Sequence, residues 1–427
     1  MLKNLLSNEF NKNVLKLLTG TTIAQAIPIA ISPILTRLYT PEDFGVLALF
    51  VAITAILGSI ANARYDVAII LPKKIDESIN VAALSILIAF VVSIFLELVV
   101  IFFHDYILIL LGNEKIGTWL YLIPLIVFFI GVFNALNYLN TKMKAFGLIA
   151  QVKVIKSTTL ATCQLVLGLF KFGSAGLIIG QMVSHIFTNG KLVKQVALKK
   201  SILKVVKLKE IKKLSKRYID FPKFSLIATL ANNLSIHLIN LFINFMYSST
   251  TLGHYSLINR TLGLPTTLIG TSIGQVFMQK SSEERNESGL AYKTYNSTFK
   301  KLIFLAIIPF VFLFFFSEEL IVFIFGSNWI EAGIYMKYLL PLFFIRFISS
   351  PLSNILIVFE RQKLLLIWQV MSLFLSLLVY LVTNHFEWGA TVFFGVNTFV
   401  LSIHYIVLLY ITFRVSNYGD LKRYKIE

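Results

Sequence analysis

The sequence predicts an all-α polytopic membrane protein with about twelve transmembrane helices, and three observations lead to this prediction. The 427 residues are 57% hydrophobic and only 14% charged, whereas soluble domains are about one quarter charged. The apolar residues form continuous runs of about twenty residues, the length of a helix that crosses about 30 Å of hydrocarbon. These runs do not alternate between polar and apolar positions, and they therefore indicate helices rather than the strands of a membrane barrel.

Twelve apolar runs follow one another along the chain, and most are joined by short connections. The connection between the sixth and seventh runs is the longest, and residues 191–217 include eleven lysines and arginines against one acid, Glu210. We predict twelve spans, near residues 14–38, 44–71, 77–103, 119–141, 147–170, 174–195, 220–247, 252–279, 290–316, 333–359, 364–383 and 388–413.

The net charge of +18 would indicate nucleic-acid binding in a soluble protein. Here the lysines concentrate in alternate connections, for example at Lys74 and Lys142, whereas Glu42 and Glu319 lie in connections on the opposite side. An excess of lysine and arginine marks the cytoplasmic loops of membrane proteins. The asymmetry predicts an even number of spans, both termini in the cytoplasm, and membrane lipids rather than nucleic acid as partners.

The chain contains an internal repeat. Tyrosine and glycine lie six residues apart in both Leu38–Gly45 and Met246–Gly253, and the two glycines are separated by 253 − 45 = 208 positions. Tyr121–Pro124 matches Tyr338–Pro341 at a similar offset of 217. Six spans separate the copies, which indicates two six-helix lobes of the same orientation, related by duplication. We predict an N-terminal lobe at 1–190, a basic cytoplasmic linker at 191–218, a C-terminal lobe at 219–413 and a cytoplasmic tail at 414–427.

The seventh span carries a polar face. Five polar side chains recur at intervals of three or four residues and share one side of the predicted helix: Thr229, Asn233, His237, Asn240 and Asn244. The equivalent positions of the first copy are polar in four of five cases: Thr21, Gln25, Ile29, Ser32 and Thr36. A face that is polar in both copies favours a water-filled cavity between the lobes, and hydrogen bonding between helices is the alternative. The predicted substrate-binding residues on this face are Gln25, Asn233, His237, Asn240 and Asn244.

Three arginines lie well inside predicted spans, namely Arg64, Arg260 and Arg346, whereas most lysines lie near helix ends. One arginine at the centre of a bilayer costs about 2.5–3.5 kcal/mol on insertion scales. Only two acids, Asp66 and Glu97, are predicted inside spans, so at least one arginine remains for an anionic ligand. A planar guanidinium can grip a diphosphate with two parallel hydrogen bonds. Structural pairing, as of Arg64 with Asp66, is the alternative.

Further polar residues suggest an ion-dependent step and an inner entrance. Asp66, Glu97 and His237 are candidates for binding a coupling H⁺ or Na⁺. Lysines near the predicted cytoplasmic helix ends form either an electrostatic funnel or contacts with anionic headgroups: Lys142, Lys144, Lys153, Lys156 and Lys223. The sequence contains neither a Walker A loop nor a metal-binding His/Cys cluster, and we expect no catalytic residue, metal or cofactor. The single cysteine, Cys163, excludes an intrachain disulfide.

The segment Leu17–Leu49, together with Ala63–Pro72 and Gly176–Gln181, resembles polysaccharide-biosynthesis flippases. These are the Wzx-type O-antigen and capsule translocases of the multidrug/oligosaccharidyl-lipid/polysaccharide exporter superfamily, and the run from Thr36 to Gly45 is the most specific motif. The resemblance implies a transporter, not an enzyme, in a bacterial inner membrane. It implies that an undecaprenyl-diphosphate-linked oligosaccharide moves to the outer face by alternating access through a cationic cavity. It also suggests coupling by ion antiport. An O-antigen polymerase and glycosyltransferases are the further partners that it suggests.

Other classes remain as alternatives. A multidrug antiporter of the same superfamily that moves cations favours acids over arginines inside the membrane, and this sequence has the opposite pattern. A membrane O-antigen ligase or polymerase favours a long extracytoplasmic loop, whereas the predicted outer connections are short. A major-facilitator transporter usually carries a Gly- and Arg-rich segment between helices 2 and 3, where this chain reads Leu71–Glu77.

Overall fold

A computed structural model describes residues 9–197 and 205–419, and within these ranges all regular secondary structure is helical. The predicted all-α fold is confirmed, and each predicted span corresponds to one long helix. In chain order the long helices of the described residues are α1 (Glu9–Leu38), α2 (Pro41–Ile60), α3 (Ile75–Leu111), α4 (Ile123–Lys142), α5 (Phe146–Leu169), α6 (Ser174–Ala197), α7 (Leu226–Met246), α8 (Ser249–Ile258, Asn259–Gly263 and Leu264–Ser288), α9 (Tyr292–Phe325), α10 (Ile330–Leu352), α11 (Gln362–His385) and α12 (Ala390–Tyr418).

The long helices differ in how apolar they are. Among the described residues, nine are long and apolar enough to cross a membrane by length and composition. The other three, α1, α6 and α8, are less apolar over their length and include serine, threonine, asparagine and glutamine. Polar side chains of this kind are tolerated in a membrane where they face other helices or water. The chain is therefore a multi-pass membrane protein, and its three more polar helices are suited to an interior surface.

Some helix ends differ from the predicted ends. α2 stops at Ile60 rather than near residue 71, because Ala63 and Arg64 adopt left-handed backbone angles that a helix cannot continue. A short helix, Tyr65–Ala68, follows this turn. α3 and α9 extend beyond the predicted ends at 103 and 316, but each is kinked at that residue, with φ and ψ of −120° and 19° at Phe103 and −116° and 15° at Phe316.

The backbone repeats its irregularities at a nearly constant offset. The kinks lie at Phe103 and Phe316 (316 − 103 = 213), and a single 3₁₀ turn follows each kinked helix. Left-handed residues occur at Lys144 and Glu360 (360 − 144 = 216) and again at Lys171 and Glu387 (387 − 171 = 216). Few residues other than glycine adopt this conformation, so its recurrence supports the internal duplication independently of the sequence matches.

The described residues divide into two compact units, one before and one after the boundary between Gly253 and His254. In the first unit, Ile69, Val81 and Leu139 are among the buried core residues. In the second, Leu302 and Phe347 have the same role. α7 packs against α2 and therefore belongs to the first unit. The predicted boundary at residue 219 separates the two copies of the sequence repeat, whereas the two compact units are defined by packing. The boundary at 219 stays a prediction.

In the first unit, the beginnings of α2 and α8 meet through two glycines. A Cβ atom added to Gly45 would overlap the Ser249 carbonyl, and one added to Gly253 would overlap the Pro41 carbonyl. Gly45 and Gly253 are equivalent positions of the repeat, and Pro41 and Ser249 are separated by the same offset (249 − 41 = 208), so the contact is reciprocal. Thr40 caps α2, since its hydroxyl accepts a hydrogen bond from the Asp43 amide at 3.2 Å. The specific sequence run at this position therefore builds a helix start and a close helix contact.

The basic linker contains an amphipathic helix, Leu208–Arg217, that packs along α3. Its Ser215 carbonyl accepts a hydrogen bond from the Tyr65 hydroxyl at 2.8 Å, and Arg217 pairs with Glu77 at 3.4 Å. Lys199, Lys200 and Lys204, which contribute to the predicted basic character of this linker, lie outside the described residues.

Candidate substrate-binding site

The middle of α7 is thinly covered. Only 6% of the residues in its most apolar stretch are buried, compared with 56% in α2. Asn233, His237 and Asn240 are half-buried. The Asn233 side chain donates a hydrogen bond to the Thr229 carbonyl of its own helix at 2.9 Å. The middle of the predicted polar face is therefore not covered by other described helices.

Asn244, the last residue of that face, is buried and only 3% exposed. Its side-chain amide donates to the Leu111 carbonyl at 2.8 Å and accepts from the Asn113 amide at 3.0 Å and the Ser249 hydroxyl at 3.1 Å. These bonds tie the end of α7 to the end of α3 and the start of α8. At Asn244 the polar face therefore forms hydrogen bonds between helices, which was the alternative to a water-filled cavity.

The matching face of α1 is mostly engaged within the first unit. The Thr21 hydroxyl accepts a hydrogen bond from the Lys153 ammonium at 3.1 Å, and the Ser32 hydroxyl donates to the Pro28 carbonyl at 2.6 Å. Gln25 differs, because its buried Oε1 accepts no hydrogen bond from the residues that the structure describes. Gln25 therefore brings an unused acceptor to the α1 face.

Arg64 and Asp66 form an ion pair, which was the predicted alternative to a role of Arg64 in anion binding. Arg64 lies in the left-handed turn after α2, with φ of 64°, rather than well inside a span. Its guanidinium is 3.9 Å from the Asp66 carboxylate, and the Asp66 side chain is only 4% exposed. Glu97 is half-buried in the middle of α3 and forms no ion pair with another described residue. Asp66 and Glu97 therefore occupy different environments, one compensated by a cation and one not.

In the second unit, Arg346 lies on an exposed face in the interior of α10. Its guanidinium lies 5.7 Å from the ring centre of Phe343 and 5.6 Å from that of Tyr405. Within the described residues, no carboxylate lies within ion-pair distance of Arg346. Aromatic rings on a guanidinium hold its plane while leaving its N–H donors free. The two rings therefore contact the Arg346 guanidinium, and no described carboxylate pairs with it.

Arg260 lies in a π-helical turn, Asn259–Gly263, that interrupts α8. The Asn259 side chain hydrogen-bonds to Tyr255, which also interacts electrostatically with Arg346. Arg260 itself is half-buried and already has an interaction partner. π-helical turns are rare and often occur at functional sites. The sequence-predicted arginines Arg260 and Arg346 thus both lie in the second unit.

A basic groove that we did not predict lies between α8 and α9. Its volume is about 620 Å³, and Lys280, Lys293 and Lys301 line it together with the hydroxyl side chains of Ser272, Thr294, Ser297 and Thr298. The remaining lining residues are apolar: Ile273, Val276, Phe277, Leu302 and Leu305. Among the lining residues that the structure describes, none is acidic. The groove combines a cationic, hydroxyl-rich part with an apolar wall.

The spacing of the groove residues is visible in the sequence. Lys293, Ser297 and Lys301 follow one another at intervals of four on α9, which places them on one helix face. Ser272 and Lys280 are eight apart on α8 and therefore also share a face. The sequence does not reveal that these two faces oppose each other, because a helix surface pattern does not identify its partner.

The described residues were also compared with the requirements of a metal site. Among residues 9–197 and 205–419, no three His, Cys, Asp or Glu side chains lie close enough together to hold a metal ion. The cations of the second unit named above can donate hydrogen bonds to phosphate oxygens. Ammonium and guanidinium donors to anions form shorter and stronger bonds than neutral donors do.

The sequence profile of the family described as "Polysaccharide biosynthesis protein" matches residues 34–333. A search of curated protein sequences finds no match.

Solved structures share the fold at low sequence identity. The lipid II flippase MurJ in an inward closed conformation is similar with a TM-score of 0.71 and 16% identity, over 93% of this chain and 87% of that one. An inward-facing multidrug resistance MATE transporter of the MOP superfamily has a TM-score of 0.64 and 14% identity, over 95% and 94%. A MOP superfamily transporter from Pyrococcus furiosus, described as having a binding pocket of reverse polarity, has a TM-score of 0.60 and 13% identity, over 98% and 97%.

Proposed function

The chain belongs to the polysaccharide biosynthesis protein family, and we propose that this membrane transporter is a flippase for an undecaprenyl-diphosphate-linked oligosaccharide, such as an O-antigen or capsule repeat unit. It carries this substrate from the cytoplasmic to the outer face of the bacterial inner membrane by alternating access. Both termini lie in the cytoplasm in this proposal, in agreement with the lysine asymmetry. Asp66 and Glu97 are the candidates for a coupling H⁺ or Na⁺.

The basic groove between α8 and α9 is the observation that carries the proposal. A polyprenyl diphosphate has a doubly charged head joined to a long apolar chain. The groove offers three lysines and four hydroxyl groups to such a head, and Val276, Leu302 and Leu305 to the beginning of the chain. None of the described lining residues is acidic, and the one carboxylate that contacts two of them, that of Glu284, accepts hydrogen bonds from the Lys293 and Thr294 amides at 3.0 and 2.8 Å. Three lysines against this one carboxylate leave the groove cationic, which favours anions.

Arg346 is the proposed second contact along the path. It is exposed on α10, its plane is held by two aromatic rings, and the described residues offer it no carboxylate. The half-buried polar groups of Asn233, His237 and Asn240, with the free acceptor of Gln25, are suited to sugar hydroxyls. The Asn244 amide is engaged by neighbouring helices, and we assign it to helix packing.

The proposal is tested by reconstituting the full chain in liposomes and measuring the movement of a fluorescent polyprenyl-diphosphate disaccharide with a quencher that cannot cross the bilayer. We expect accelerated loss of fluorescence compared with protein-free liposomes. The same protein should not move an organic cation across a proton or sodium gradient. Transport of the cation without movement of the lipid-linked disaccharide would contradict the proposal and favour a multidrug antiporter.

A further inference from the structure

A second polar cavity lies inside the first unit, away from the basic groove. Its volume is about 470 Å³, and residues of α2, α4, α5 and α6 line it. Its polar lining consists of Thr54, Asn134, Lys156, Gln181 and His185. Four of its twelve lining residues, Phe50, Thr54, Ile126 and His185, are buried and the other eight are half-buried, so the cavity is partly open to the surface. The cavity is within the size range of small-molecule sites, about 300–1,000 Å³.

The cavity contains basic groups, and none of its described lining residues is acidic. The Lys156 ammonium lies 5.7 Å from the ring centre of Phe133. His185 is 6% exposed, and its buried Nδ1 has no hydrogen-bond partner among the described residues. Lys156 is the eleventh of the 24 residues of α5 and therefore lies near the middle of the helix, not near its cytoplasmic end as predicted. An ammonium in the membrane interior is costly unless an anion or water compensates it. The composition of the cavity therefore points to an anionic ligand.

The uncharged lining residues indicate which class of anionic ligand fits the cavity. The side-chain amides of Asn134 and Gln181 make no hydrogen bond to other described residues, so both retain donors and acceptors. The Thr54 hydroxyl donates to the Phe50 carbonyl at 2.9 Å and can still accept a bond. Phe133 supplies an aromatic wall. An inorganic ion such as chloride would leave most of the cavity unfilled, whereas a sugar ring offers hydroxyls to the amides and C–H groups to the phenyl ring.

We propose that this cavity binds a sugar acid, with its carboxylate on Lys156 and its hydroxyl groups on Asn134, Gln181 and His185. This inference rests on the proposed function, because it assigns to the cavity an acidic sugar of the transported oligosaccharide. It adds a specificity site in the first unit that is separate from the diphosphate contacts in the second. An oligosaccharide with a uronic acid is then preferred over a neutral one.

The test measures binding of free glucuronate, glucose and chloride to the purified full-length protein by calorimetric titration. We expect glucuronate to bind the wild-type protein. Glucose should bind at least about tenfold more weakly, because it lacks the charge-assisted hydrogen bond to Lys156. Chloride should also bind more weakly, because it keeps the charge but has no hydroxyl groups for Asn134 and Gln181. Lys156→Gln should weaken glucuronate binding by a similar factor, and Gln181→Leu should weaken it without a change of charge. Lys171→Gln is the matched control, because Lys171 follows the same helix, is exposed and does not line the cavity. Its glucuronate affinity should be that of wild type.

Two results would overturn the inference: equal glucuronate affinity in Lys156→Gln and wild type, or chloride binding as tightly as glucuronate. The proposed flippase function is separable from this outcome. Movement of a lipid-linked disaccharide of neutral sugars should continue in Lys156→Gln. If that movement is absent in the wild-type protein as well, the proposed function fails, whatever the glucuronate titration gives.

Discussion

At the scale of single residues, Arg346 is distinguished by its geometry rather than by its charge alone. The guanidinium is exposed inside a long helix and lies against Phe343 and Tyr405. A lysine at this position would keep the charge, but it would lose the planar pair of donors and carry a more strongly hydrated ammonium.

We expect Arg346→Lys to reduce flipping of the lipid-linked disaccharide about tenfold, the effect of losing one charge-assisted hydrogen bond, and Arg346→Ala to reduce it further. Arg414→Lys is the control, because Arg414 also lies against aromatic rings, those of Tyr410 and Tyr418, but at the end of α12. Wild-type flipping by Arg346→Ala would remove this residue from the site.

We expect the Arg64–Asp66 ion pair to stabilise the fold, and the prediction for Arg64 therefore concerns protein stability rather than flipping. Removing Arg64 strands a carboxylate that is only 4% exposed, which costs about 1–3 kcal/mol when the partner of a buried group is lost. Arg64→Ala should therefore lower thermal stability and protein abundance, and Arg64→Ala combined with Asp66→Asn should restore both. A double variant as unstable as the single one would show that the pair does not stabilise the turn after α2.

At the scale of helices, the contact between α2 and α8 depends on having no side chain at Gly45. Glycine to alanine in a helix is ordinarily stabilising by roughly 0.5–1 kcal/mol. At Gly45 the added Cβ would overlap the Ser249 carbonyl, and overpacking of this kind costs about 1–3 kcal/mol. Gly45→Ala should thus lower the melting temperature, whereas Gly190→Ala, where the added Cβ meets nothing within 4 Å, should not. Equal melting temperatures would show that the helices separate readily at this point.

The polar face of α7 is tested by labelling with a water-soluble maleimide in a Cys163→Ser background. We expect cysteines at His237 and Asn240 to react, since both positions are half-buried on a polar face. A cysteine at Phe242, which is also half-buried but has Leu238, Ile239, Phe245 and Met246 one turn away on the same helix, should be shielded by lipid. Equal labelling at Phe242 and His237 would contradict a water-filled surface on α7.

The sequence was sufficient to predict the twelve helices, because long apolar runs in a membrane protein allow little else. For α3 and α9, the predicted ends at 103 and 316 are instead the positions of kinks. The hydropathy falls at these positions, although both helices continue. The prediction missed the end of α2, where two left-handed residues, Ala63 and Arg64, stop the helix without a glycine or proline. For the site, hydropathy drew attention to arginines inside spans, but it could not identify the groove, which depends on how α8 and α9 pack.

At the scale of the whole molecule, the repeat organises the chain more regularly than its sequence suggests. The matching kinks and left-handed turns recur at nearly the same offset, although the sequence matches are short. The two copies nevertheless differ in chemistry, since the first unit contains the cavity around Lys156 and the second contains the groove around Lys293. A duplicated scaffold has therefore acquired two separate polar sites.

The membrane topology is predicted from the distribution of lysines along the whole chain. Reporter fusions after Lys74 and Lys209 should be cytoplasmic, and fusions after Asn113, Asn328 and His385 should report the outer face, because lysines concentrate on one side. An outer location of the fusion after Lys209 would overturn both the orientation and the cytoplasmic linker.

The most direct test of the central claim compares a double and a single variant of α9 in the liposome flipping assay. Lys293→Gln combined with Lys301→Gln removes two of the three groove cations, whereas Lys300→Gln removes a neighbouring exposed cation that does not line the groove. If the groove receives the diphosphate, the double variant should lose at least about tenfold in the flipping rate, at unchanged protein content of the liposomes, and Lys300→Gln should match wild type. Equal rates in the double variant and wild type would contradict the proposed diphosphate site.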